Sequence, residues 1–266
     1  MSLLLLSLLS KSFPEAQIDV TGVDVSETAL KLARKNYERN LEHYPDTGRH
    51  SVSFEKADVL DPKSITLIEV PPPLDHWGSP ETDDTYRIVV SNPPYISQKG
   101  FEQQTERSVR RYEPELALVP KRVGGLLKEP GSLEVEKWRS EVKTEDIFYW
   151  ALKRRAMLIG AQIMLVEVAG TDQALRVARE VMKWMPPSEY CPYHDEDLVP
   201  DEWRYGEIWG DDPDAVEGCV EDITPAEKTE MAKLPVHLKG AGKGRSVFVS
   251  RPLTETAGTS GLGLSS

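Results

Sequence analysis

The chain has 266 residues, 39% hydrophobic and 29% charged, an ordinary globular balance that excludes a fibrous or wholly disordered protein. Acidic residues number 44 against 32 basic ones, and the net charge of −12 makes the bulk field unfavourable to polyanions. Two cysteines, Cys191 and Cys219, show no metal-ligand spacing and cannot build a disulfide framework; the five histidines are scattered, so no metal site is expected. This composition reads as a soluble intracellular protein.

Met1 to Ser10 carries six leucines. The stretch is too short to span a bilayer. No Lys or Arg precedes it and no small-residue cleavage site follows before Lys11, as a secretory signal would require. The pattern predicts a helix that is apolar all round and buried on a sheet.

Ile18 to Asp24 reads as a strand ending in an acid. Ser26 can cap a helix over Glu27–Asn40 with Ala29, Leu30, Ala33 and Tyr37 on one face. Val52–Lys56 is a second strand, followed by Ala57 and Asp58. A loop with the triple proline Pro71–Pro73 leads to a third strand, Arg87–Ser91, whose unbroken apolar centre suits burial on both faces. Gln98–Lys143 reads as mostly irregular. A helix is expected over Glu145–Ile159, a fourth strand over Gln162–Val168, and a helix from Thr171 to about Met185, stopped by Pro186 and Pro187. Ser246–Ser250 is a late strand, and Thr254–Ser266 a Gly, Ser and Thr tail expected to be disordered. Alternation of strand and helix over the first 185 residues or so predicts an α/β fold with a mainly parallel sheet. Ligands of such sheets bind at the carboxyl ends of the strands, here Asp24, Asp58, the run Ser91–Tyr95 and Glu167.

Asn92-Pro93-Pro94-Tyr95 is the sharpest signal. Two successive prolines remove two N–H donors and fix two φ angles, so they form a stiff bracket. The residue before them is pushed to an extended conformation, which aims the Asn92 carboxamide. The Asn92 oxygen and a proline carbonyl can accept the two N–H bonds of a planar amine or amide, leaving the direction normal to its plane open for attack. Tyr95 adds a flat ring that can pack on a planar group.

This string resembles the signature of class I methyltransferases that methylate planar nitrogens. Arg111-Tyr112-Glu113-Pro114-Glu115-Leu116-Ala117-Leu118, Asp146-Ile147-Phe148-Tyr149 and Gly244-Arg245-Ser246-Val247 resemble stretches of release-factor glutamine N5-methyltransferases. The resemblance runs from about Leu3 to Arg251. It implies one Rossmann-like catalytic domain over 1–253, with inserted loops near 65–85, 120–143 and 189–241. It implies S-adenosylmethionine as cofactor and the glutamine of a Gly-Gly-Gln tripeptide in a peptide-chain release factor as substrate. No membrane and no direct nucleic-acid partner are expected, and the compartment implied is mitochondrial, with the cytoplasm as the alternative.

By the same resemblance, Asn92, Pro93, Pro94 and Tyr95 are catalytic and hold the substrate, with Asn92 also bordering the cofactor. Asp24 accepts from the cofactor's ribose hydroxyls; by pattern alone it serves equally as a helix-start acid. Asp58 and Val59 lie at the adenine, although Asp58 also reads as a plain loop aspartate. Glu113 positions the substrate peptide or is a solvated loop acid. Glu167 reads as structural. The family's first strand and its glycine-rich turn would precede Leu3, so the reading expects a chain truncated at its N-terminus. Two rival readings are a nucleic-acid base N-methyltransferase and an inactive methyltransferase-like fragment.

Overall fold

A computed structural model describes residues 1–41, 48–61, 86–121, 142–182, 205–212, 219–220, 224–225 and 236–250. They show a mixed α/β fold falling into two compact units, the first within Met1–Val70 and the second holding the described residues from 86 onward.

In the first unit, α1 (Ser2–Ser12) precedes β1 (Ile18–Asp24), α2 (Glu27–Arg39) and β2 (His50–Lys56). β1 and β2 pair in parallel, with Asp24 opposite Lys56. Leu6, Val20, Leu30 and Phe54 form the core between helices and ladder. Ser26 Oγ accepts from the Ala29 N–H, as expected of a cap. Two expectations need correction. α1 is not buried all round: Leu6 and Ser10 are covered, but Leu4 and Leu8 remain 64% and 55% exposed. A two-stranded ladder offers one face to pack on, and the opposite side of the helix stays open. On α2, Leu30 is buried but Ala29 is exposed. Gly22 marks a close approach of α1, since a Cβ there would lie 2.9 Å from both the Ser2 hydroxyl oxygen and the Phe54 ring.

The second unit contains β3 (Ile88–Ser91), α3 (Gln98–Gln103), α4 (Arg107–Tyr112), a 3-10 turn at Glu115–Ala117 and another at Thr144–Asp146. α5 (Ile147–Leu158), β4 (Ile163–Glu167) and α6 (Thr171–Met182) follow. β5 (Tyr205–Asp212), β6 (Cys219–Val220), β7 (Val236–Lys239) and β8 (Ala241–Ser250) complete it. The strand order is β3-β4-β8-β5-β7, with β6 on β8. β3–β4, β5–β7 and β6–β8 are parallel, while β8 runs antiparallel to β4 and β5. The core lies between this sheet and α6, whose Ala174, Leu175, Val177, Ala178 and Val181 are buried with Met164, Val166, Ile208, Val247 and Val249. Five such residues at helical spacing on one side of a polar helix are enough to dock it.

Here too the structure departs from the pattern. β3 is not buried on both faces: it ends the strand order, Ile88 is 42% exposed, and Val89 and Val90 are half-buried. Residues 98–121 form helices α3 and α4 where irregular chain is expected, and β8 starts five residues before the expected strand. The stretch 189–241, expected as an inserted loop, contributes β5, β6 and β7 in its described part. The segments 62–85 and 122–141, the chain after Met182 as far as residue 204, and the tail lie outside the described residues.

Candidate active site

In the first unit, Asp24 and Asp58 come to the same end of the β1–β2 ladder. Asp24 closes β1, and its backbone carbonyl accepts from the Ala57 N–H at 3.2 Å, next to Asp58. Asp24 Oδ1 accepts from the Ser26 N–H at 2.7 Å, while Oδ2 has no partner among the described residues. Asp58 Oδ1 accepts from the Leu60 N–H at 2.9 Å, a local turn bond that fixes the carboxylate, and Val59 beside it is half-buried. The packing of Ser2 on Gly22, two residues before Asp24, brings the N-terminal end of α1 to this same end.

In the second unit, Asn92 follows β3 directly. Its side chain is exposed and has no hydrogen-bond partner among the described residues, so both its donor and its acceptor are available. Pro93 is buried, and Pro94 and Tyr95 are half-buried, which anchors the bracket while leaving its tip open. The Tyr95 hydroxyl donates to Glu167 Oε1 at 2.9 Å. Glu167 closes β4, the strand paired with β3, so two neighbouring strand ends fix this ring. After Tyr95 the chain makes an excursion through α3 and α4 and returns where the Ile96 N–H donates to the Leu118 carbonyl at 2.9 Å. On it, Glu113 is exposed in extended conformation at the end of α4. Arg107, Arg110 and Arg111 of α4 are exposed and line a shallow depression of about 580 Å³. The Arg111 guanidinium lies 5.5 Å from the Tyr112 ring centre.

Burial, reinforced by the hydrogen bond and charge of Glu167, pushes the Tyr95 phenol up to about 12. The proton therefore stays on Tyr95 at neutral pH, and the side chain is a donor rather than a base. A raised folded-state value means that the stability Tyr95 contributes is fully present below its ordinary value of about 10 and is lost as pH rises through about 12. Tyrosinate absorbance at pH 11 should count one more protonated phenol in the wild type than in Tyr95→Phe. Equal counts in the two proteins would contradict the assignment.

Behind the bracket lies a network that the sequence pattern did not reveal. The Tyr149 hydroxyl donates to the Glu167 backbone carbonyl at 2.8 Å; burial first, and the charge of Asp146 next, hold this phenol far above its ordinary range. Asp146 pairs with Arg176 at 2.7 Å. Burial works against the charge of Arg176, but the hydrogen bond and charge of Asp146, with Asp172 and Glu145, hold its pKa above the ordinary value. The strand-end rule points to Glu167 and the resemblance takes in Asp146–Tyr149, but no local pattern announces Tyr149 as the partner of Glu167. No group of His, Cys, Asp and Glu suited to a metal occurs among the described residues.

No family model and no solved structure matches the chain. Among curated proteins, the "Probable MRF1 mitochondrial N(5)-glutamine methyltransferase mtq1" of Schizosaccharomyces pombe is 38% identical over 105 residues, 40% of this chain and 29% of that protein. A release factor glutamine methyltransferase of Rhodopirellula baltica is 32% identical over 111 residues, 42% of this chain and 29% of that protein. The mitochondrial MRF1 N(5)-glutamine methyltransferase MTQ1 of Saccharomyces cerevisiae is 30% identical over 104 residues, covering 39% and 26%. The chain thus spans about three-tenths of the length of these relatives. Over about two-fifths of its own length, the chain is similar to release factor glutamine methyltransferases, the family that its Asn-Pro-Pro-Tyr and Glu-Pro stretches resemble.

Proposed function

We propose that the chain carries the catalytic part of a methyltransferase that moves a methyl group from S-adenosylmethionine to the side-chain amide nitrogen of a glutamine in a peptide-chain release factor. The observation that carries this reading is the Asn92–Tyr95 bracket, with an exposed carboxamide that has no hydrogen-bond partner among the described residues, on an anchored diproline. Methyltransferase names among the relatives support it, as do the parallel strands of a mixed α/β fold. On this reading residues 1–253 form one Rossmann-like class I domain. The two yeast relatives, named as mitochondrial methyltransferases, favour a mitochondrial location.

The residues present fit the cofactor. Asp24 keeps one carboxylate oxygen without a partner among the described residues, at a strand end, as acceptance from ribose hydroxyls requires. The fixed Asp58 carboxylate suits the adenine amino group, and half-buried Val59 suits the face of the ring. When bound, S-adenosylmethionine supplies an electrophilic sulfonium methyl. The chain's own task is to present the nucleophile. An amide nitrogen is weakly nucleophilic because its lone pair is delocalised into the carbonyl. Asn92 Oδ1 and a carbonyl of Pro93 or Pro94 accept the two N–H bonds, hold the nitrogen in place and localise its lone pair. Tyr95, kept neutral, packs on the amide plane, and Glu113 borders the peptide. No strong base takes part: the nitrogen, once methylated, gives up one of its two N–H protons to water, so alignment supplies most of the rate, up to about 7–11 kcal/mol in well-oriented systems.

Calorimetric titration of the purified chain with S-adenosylmethionine tests the cofactor half. Saturable binding is expected, weakened about 10- to 100-fold by Asp24→Ala through loss of charge-assisted hydrogen bonds. Equal affinity of the two proteins would remove Asp24 from the site.

A further inference from the structure

We propose that Gln173 is the positioning residue of the substrate bracket, acting through the backbone of Tyr95. The inference rests on reading Asn92–Tyr95 as the glutamine clamp. Gln173 sits near the start of α6 and is only 4% exposed. Its Nε2 carries two hydrogens, shared among three acceptors within reach: Asp146 Oδ1 at 2.8 Å, the Glu145 carbonyl at 3.2 Å and the Tyr95 carbonyl at 3.3 Å. Its Oε1 accepts from the Ala169 N–H at 2.8 Å, with the Tyr149 hydroxyl 3.5 Å away. One buried carboxamide therefore joins the bracket, the start of α5 and the β4–α6 turn.

Only a group that donates and accepts at this length can do so. A carboxylate would lose both donors and face Asp146; an apolar isostere would leave the Ala169 N–H and the Tyr95 carbonyl without it. Asp146 is held in turn by Arg176 Nε at 2.7 Å and Nη2 at 3.2 Å, so the donor that reaches Tyr95 is itself oriented. Tyr95 is thereby fixed at two points, its hydroxyl by Glu167 and its carbonyl by Gln173. The prolines transmit that restraint, because their φ angles cannot absorb a shift. Asn92, with no partner of its own among the described residues, takes its aim from the backbone that follows it.

The test uses the full chain labelled with carbonyl-¹³C tyrosine. There are nine tyrosines, and Tyr95→Phe identifies the relevant signal by its loss. Gln173→Met should move the Tyr95 carbonyl resonance. Arg176→Met, which weakens the same network one step away, should lower thermal stability but move that resonance less. Methyl transfer to a glutamine peptide, measured well below the unfolding temperature, should lose about 10²-fold in kcat in Gln173→Met, with affinity for S-adenosylmethionine unchanged, as expected for a misplacement of about 1 Å. A Tyr95 resonance that stays in place overturns the inference whether or not the chain is active, and so does a moved resonance with kcat unaltered. If the wild type transfers no methyl, the functional reading fails, and the carbonyl signal still decides the role of Gln173.

Discussion

Asn92→Ala is expected to lower methyl transfer by about 10²–10³-fold or more while leaving affinity for S-adenosylmethionine within a few-fold. The magnitude is that of removing one preorganised polar partner from a reacting group. The direction follows from the side chain's situation. Asn92 is exposed at the end of β3 and supports no other part of the fold through a hydrogen bond among the described residues, so its loss leaves little to repair. Truncation removes the acceptor for one substrate N–H and the restraint on the amide plane. Single-turnover rates at saturating S-adenosylmethionine, with unfolding temperature as the control, separate this from misfolding. A variant that keeps most of its rate and its stability would exclude Asn92 from the chemistry.

Gly210→Ala should produce the largest loss of stability. A Cβ at Gly210 would lie 2.0 Å from the Ala241 carbonyl oxygen, a backbone atom that no rotamer change can move. Gly210 sits between two register shifts in the β5–β8 ladder, where the strands come together irregularly. Accommodating a methyl group means opening that ladder, at about 3 kcal/mol, the upper end of overpacking costs. For a chain of this size, that lowers the unfolding temperature by about 6–12 °C. β8 also pairs with β4, with Ser246 opposite Glu167, so the loss should extend to the strand end that holds Tyr95. An unchanged melting curve would mean that β5 is not part of the cooperative sheet.

Gly210 lies in the part of the fold that the sequence concealed. Tyr205–Asp212 contains two glycines and three acids, which read as loop, yet at Gly210 the neighbouring backbone of Ala241 leaves no room for a side chain, and Ile208 fills the core. Composition cannot separate a glycine that frees a loop from one that admits a strand. The amphipathic α6 and the strand ending at Glu167 were legible, because apolar residues recur there at the spacing of each element. α1 misled for the opposite reason: its leucines show what could be buried, and Leu4 and Leu8 stay exposed on a two-stranded ladder.

The candidate site was legible where covalent geometry carries the signal. Pro93 and Pro94 act on their own backbone, so their consequence for Asn92 can be argued without a fold. Asp24 and Asp58 were legible because strand ends are where such sheets bind ligands, and the parallel β1–β2 ladder brings both to one end. Gln173 and Tyr149 were not. Their partners lie 78 and 18 residues away in sequence, and only tertiary folding turns an ordinary helical glutamine into a buried junction.

The central claim is tested most directly by incubating the purified full chain with S-adenosylmethionine and a release-factor peptide containing Gly-Gly-Gln, followed by mass spectrometry of the peptide. The expected result is one added methyl group on the glutamine side chain, absent from a peptide carrying alanine at that residue and formed about 10²-fold or more slowly with Asn92→Ala. An unmodified glutamine, with methyl groups found instead on nucleic-acid bases or nowhere, would contradict it.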